Sequence, residues 1–120
     1  METLLERRSA PRAEFSGITF VNTSEAELPC LAGNLSESGM LLFPQRKTRK
    51  PLQPGLPISV VFTLPKLARW LKIEGKLVRR SAVNRRTAWA VKFDEVPADV
   101  RRSLRTYVAA RQGQVIEYPN

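Results

Sequence analysis

Apolar residues in this chain recur with a period of two, and that periodicity limits the fold more than any other feature. Ile58, Val60, Phe62 and Leu64 alternate with Ser59, Val61 and Thr63. Leu71, Ile73, Gly75 and Leu77 alternate with Lys72, Glu74 and Lys76, and Trp89, Val91 and Phe93 with Ala90 and Lys92. Successive side chains of a strand point to opposite faces, so each run reads as a half-buried β-strand. Nine prolines and six glycines lie scattered along the chain, which favours short strands joined by turns over long helices.

Three more strands fit the same pattern upstream. The first runs from about Ala13 to Asn22 and carries Phe15, Ile18, Phe20 and Val21, with Gly17 placed to bulge. After the turn cluster Asn22-Thr23-Ser24-Glu25 comes a second, about Glu27 to Ser36, with Pro29 near its start. A short third strand spans Met40 to Phe43. Pro44 to Pro54 is a basic loop built on Gln45-Arg46-Lys47-Thr48-Arg49-Lys50, and Ser81 to Thr87 reads as a connecting loop. From Pro97 the period changes. Proline in a first turn with Asp99 beside it starts a helix, and Val100, Leu104, Tyr107, Val108 and Arg111 come after it at helical spacing. Gln112-Gly113 reads as its end. Its apolar stripe needs a surface to cover, and its Arg101, Arg102 and Arg105 read as a solvated face.

At 120 residues the chain is one domain with one core. It has no histidine and one cysteine, Cys30, which removes the usual zinc and iron ligand sets, His-based acid–base chemistry and any internal disulfide. No catalytic residue, metal site or cofactor is expected, so the chain does not read as an enzyme. A lone cysteine in a strand is a small buried hydrophobe and fits a reducing, cytoplasmic setting. The longest apolar run is four residues, too short to span a membrane, and the acidic start Met1 to Glu6 is unlike a signal peptide. Twenty basic residues against 11 acidic give a charge of +9, which favours anionic partners without naming one.

The sharpest local signal is Asn34-Leu35-Ser36-Glu37-Ser38-Gly39. Leu31, Gly33 and Leu35 fall on one face of the second strand, and Asn34 and Ser36 on the other. Gly39 sits where the backbone needs either positive φ or a side-chain-free approach. The outward face would then offer an amide, a hydroxyl and turn N–H groups, which suit an anion or a nucleobase edge; the same residues also make an ordinary polar hairpin turn. Upstream, Arg8-Ser9-Ala10-Pro11-Arg12 places two guanidinium groups four residues apart.

An Arg-x-x-x-Arg arm with an Asn-x-Ser-x-x-Gly motif downstream resembles the PilZ family of cyclic di-GMP receptors, over roughly Arg7 to Arg111. The resemblance implies an all-β fold, a six-stranded antiparallel β-barrel with a C-terminal α-helix. It divides the chain into a flexible arm at 1–12, a barrel with its helix at 13–111 and a tail at 112–120. Arg8 and Arg12 match the first motif and Asn34, Ser36 and Gly39 the second, and together they imply a cyclic di-GMP site. In that family an arginine at the position of Arg7 goes with two mutually intercalated ligands, so Arg7 joins the site and two nucleotides per chain are implied. A module of this kind acts through a downstream protein effector that the sequence does not identify. A scaffold that no longer binds nucleotide and a basic barrel that binds nucleic acid are the alternatives. One departure is Ala90, where the family often has glycine before Val-x-Phe. Trp70 and Trp89 as stacking platforms, Arg79 and Arg80 as phosphate contacts, and the Arg46–Lys50 loop as a basic docking site complete the candidates.

Overall fold

The structure is a computed structural model that describes residues 13–15, 17–65, 67 and 69–117. Its elements are β1 (Ala13–Glu14), β2 (Ile18–Asn22), β3 (Glu27–Leu35), β4 (Gly39–Pro44), β5 (Pro57–Phe62), β6 (Leu71–Val83), β7 (Arg86–Phe93) and α1 (Ala98–Glu117). Every pairing is antiparallel, and the order β3-β2-β5-β6-β7-β4 closes on itself through a β3–β4 pairing. The six-stranded barrel expected from sequence is therefore present, with β1 as an extra short strand beside β3.

That extra strand comes from a break in the expected first one. Ala13 faces Leu35 and Glu14 faces Asn34, whereas Ile18 faces Leu31, a register offset of one residue. The irregularity falls between Glu14 and Ile18, around the glycine expected to bulge, and Phe15 is buried in phase with Ala13.

The second correction concerns β3. Cys30 and Ala32 face inward, and Leu31, expected inside, is 37% exposed. A register shift between Ala32 and Asn34 then returns Leu35 to the core. Gly33 sits at this bulge because the Phe43 ring fills the place of its side chain, 2.7 Å from where a Cβ would stand. Cys30 is fully buried, and burial pushes its thiol up to about 12.

The third is the stretch read as a loop at 81–87. It is the end of a long β6–β7 hairpin closed by Asn84 and Arg85, both at positive φ (50° and 67°), as a two-residue turn of the I′ kind demands. Alternation fails here because Arg79, Arg80 and Ala82 are all exposed, leaving no buried face to mark the strand. Likewise α1 runs past Gly113 to Glu117, since a single helical glycine costs only about 1 kcal/mol and removes no hydrogen bond.

The barrel interior is filled by Val21, Leu42, Val60, Phe62, Ile73, Leu77 and Trp89, all at most 2% exposed. One mouth is closed by α1, whose Val100 and Leu104 join this core. Phe15 meets Phe62 and Tyr107 edge-on at 5.7 and 5.8 Å, linking barrel to helix. Among the described residues no helix is long and apolar enough to cross a membrane.

Candidate functional site

β3 ends at Leu35, whose fully buried side chain anchors the turn at 36–38 to the core. Asn34, on the opposite face, lies half-buried between Glu14 of β1 and Leu41 of β4. The outward position expected for its amide holds.

Ser36 departs from expectation. It is 3% exposed, and its hydroxyl works within the turn. Oγ accepts from the N–H groups of Ser38 (3.1 Å) and Gly39 (3.2 Å). Its own proton has Ser38 Oγ at 3.1 Å and the Gly39 carbonyl at 3.3 Å as alternative acceptors. The Ser36 N–H donates to the same Gly39 carbonyl at 2.9 Å. A short hydroxyl closing a turn onto nearby backbone is ordinary serine chemistry. Three of the turn's N–H groups, those of Ser36, Ser38 and Gly39, are thus spent internally and do not face outward.

Gly39 satisfies the second of its two sequence requirements. Its φ is not positive; a Cβ there would collide with the backbone carbonyl of Val91 on β7. Only glycine lets β4 approach β7 this closely at Gly39–Lys92, and the Phe93 N–H donating to the Ser38 carbonyl at 2.8 Å fixes the same junction.

Glu37, which the motif leaves unspecified, reaches α1. Arg105 donates from Nε to Oε2 at 2.8 Å and from Nη2 to Oε1 at 3.2 Å. These bonds hold the Glu37 carboxyl below its ordinary value of 4.5, against a smaller opposing effect of burial. Arg105 keeps the exposed position expected of it, with a side chain 62% exposed, but it is ion-paired there rather than free in solvent. Nothing local in the sequence could have paired two residues 68 positions apart. Tyr107 adds a second tie, its hydroxyl donating to the Glu14 carbonyl at 2.8 Å.

Arg7, Arg8 and Arg12 lie outside the described residues, so the structure brings together Asn34, Ser36 and Gly39 alone. The residue after Arg12 is nonetheless placed: Ala13 pairs with Leu35, immediately before Ser36. Trp89 is buried and unavailable for stacking, while Trp70 is 55% exposed beside Phe20. Among the described residues no cluster of metal-ligating side chains occurs.

The same architecture recurs in solved proteins. The inhibitor of motility MotI/DgrA of Bacillus subtilis matches over 90% of this chain and 52% of its own, with TM-score 0.79 and 20% identity. The PilZ domain of YcgR from Escherichia coli, solved with c-di-GMP, matches over 92% of this chain and 95% of its own, with TM-score 0.72 and 15% identity. The PlzA protein of Borreliella burgdorferi, solved in complex with c-di-GMP, matches over 89% of this chain and 43% of its own, with TM-score 0.63 and 19% identity. This chain thus spans about half the length of MotI/DgrA and less of PlzA. No curated protein matches it in sequence. Residues 6–110, which take in both arginine and serine–glycine motifs, match the profile of the PilZ domain. The chain belongs to the PilZ domain family.

Proposed function

We propose that this chain is a cyclic di-GMP receptor that orders its N-terminal segment on the ligand and signals through a partner protein. The observation that carries this reading is the placement of the Asn34–Gly39 turn beside Ala13, the residue to which Arg12 is joined. Arg8 is five residues before Ala13, so an extended chain keeps it within roughly 17 Å of Ala13, which pairs with the residue preceding the turn.

Cyclic di-GMP is a dianion with two guanines. A guanidinium can donate to guanine O6 and N7 together, or take a phosphate in the same fork. Arg8 and Arg12 supply two such forks from the N-terminal segment. The barrel supplies the fixed side: the Asn34 amide for an edge or phosphate contact, on a shelf whose shape Ser36 and Gly39 maintain. Ordering the segment costs entropy, and the charge-assisted bonds offset it. The role is recognition in a cytoplasmic setting, without catalysis, since no group at the turn is placed to activate water.

Titration calorimetry with cyclic di-GMP tests the reading. Arg8→Ala or Arg12→Ala is expected to weaken binding by an order of magnitude or more, because a lost charge-assisted bond costs about 1.5–3 kcal/mol. Absence of heat for the unmodified chain at tens of micromolar ligand, roughly the −6 to −7 kcal/mol regime, would instead make it a scaffold that has lost its nucleotide.

A further inference from the structure

The barrel's two ends differ. The Asn34–Gly39 turn and α1 occupy one, and β4 runs from Gly39 to Pro44 toward the other, roughly 17 Å away. There the wall opens into a cleft of about 570 Å³ between the loop after β4 and the β6–β7 turn. Arg46, Lys47, Arg80, Arg85 and Arg86 line it, and among the described residues no acidic side chain does. None of the five is ion-paired to another described residue. Leu52 gives it apolar surface, with the buried Trp89 behind it, and Arg80 Nη1 donates to the Leu52 carbonyl at 3.4 Å, holding the loop against β6. Five like charges with no counter-charge among the described residues repel one another, and an anionic occupant relieves that repulsion.

An apolar row leads away from the cleft. Phe43, Leu31 and Ile18 stand directly opposite one another across β4, β3 and β2 on the outer face. Leu31 is 37% and Ile18 61% exposed. The Arg86 guanidinium lies 5.0 Å above the Phe43 ring, so the row begins at one of the cleft's own cations. Single exposed apolar residues are commonplace; two in register with Phe43, which is half-buried beneath Arg86, make a track that runs into a cationic cleft.

We infer that this track docks an acidic, amphipathic segment of a partner protein, with carboxylates in the cleft and apolar side chains along Leu31 and Ile18. Guanidinium forks match carboxylates bidentately. A nucleic acid would call for cations strung along a groove and an open aromatic face, whereas these cations converge, Trp89 is 2% exposed and Arg86 covers Phe43. A free nucleotide would leave the apolar row unused. Around the ring most strand edges are taken up by neighbouring strands, so side chains are the main recognition surface. The cleft lies at the other end of the barrel from the nucleotide turn, and its test needs no cyclic di-GMP.

The probe is a short fluorescein-labelled peptide of glutamates interspersed with leucines, added to the full chain at low salt and monitored by anisotropy. Binding is expected, with an analogue bearing glutamine for glutamate weaker by about tenfold or more. Arg80→Glu combined with Arg85→Glu should weaken it by a similar factor, and Ile18→Ser, at an exposed position, by several-fold. Amide resonances of Thr87 and Leu52 should shift while those of Ser38 and Gly39 stay. No binding, equal binding of both peptides, indifference to either set of substitutions, or shifts centred on Ser38 and Gly39 would each overturn the inference. Displacement of the peptide by equimolar duplex DNA or GTP would do so too, making the cleft a phosphate site.

Discussion

Ser36 and Gly39 stand three positions apart and shape one turn by opposite means, a side chain that bonds inward and a side chain that must be absent. Ser36→Ala strips the acceptor from two N–H groups in a nearly closed turn, and a loss of about 1–2 kcal/mol is expected. Gly39→Ala drives a methyl against the Val91 carbonyl, which is backbone and cannot swing aside, so about 1–3 kcal/mol of overpacking is expected. Urea unfolding of both variants measures these losses, and neither should exceed the other's range if the turn yields as one unit. The residue types at Asn34, Ser36 and Gly39 were legible because a turn of this kind leaves a short local pattern. What each does was less so: whether a serine faces out or in depends on burial set by β7, some fifty residues away.

At the scale of elements, α1 is more than a lid. Its apolar stripe fills the mouth through Val100 and Leu104, while Arg105 grips Glu37 in the turn and Tyr107 grips the backbone of β1. One helix thus holds both chain segments that flank the proposed site, so rearrangement at either one is felt by α1. The grip has a pH signature. A folded-state carboxyl held below 4.5 means the unfolded chain binds more protons, so the stabilisation is present above that value and is lost as pH falls through the lower folded value. Arg105→Ala should therefore lower the melting temperature slightly at neutral pH, and the gap from the unmodified chain should close below about pH 4.5. A gap that persists in acid would assign Arg105's effect to packing. Period-two patterning revealed β2 to β7 because each has one buried face, and it failed where that condition lapses. The exposed end of β6 has no buried face, and in β3 an unseen bulge at Gly33 reverses the alternation. β1 was hidden because a single offset residue splits a continuous-looking run, and α1 overran Gly113 because one glycine does not outweigh helical neighbours.

For the whole molecule, ring closure leaves partners few strand edges to extend, and a +9 charge biases those partners toward anions. Ligand number belongs to this scale. A stacked pair of cyclic di-GMP molecules carries four phosphate charges in a small volume, and Arg7 beside the Arg8–Arg12 pair adds a third guanidinium to neutralise them. Calorimetric stoichiometry is expected to be two for the unmodified chain and one for Arg7→Leu with the fold intact; a value of one before substitution would remove Arg7 from the site. The buried Cys30 finally makes the molecule its own gauge of breathing. Thiolate is the reacting species, and with the thiol pushed up to about 12 only roughly one in ten thousand would be ionised near pH 8 even if reagent could reach it. The closed barrel is chemically silent, so covalent labelling counts excursions to open forms. A ligand that binds only the closed barrel slows that count in proportion to its occupancy, which converts an unremarkable core residue into a clock for conformational escape.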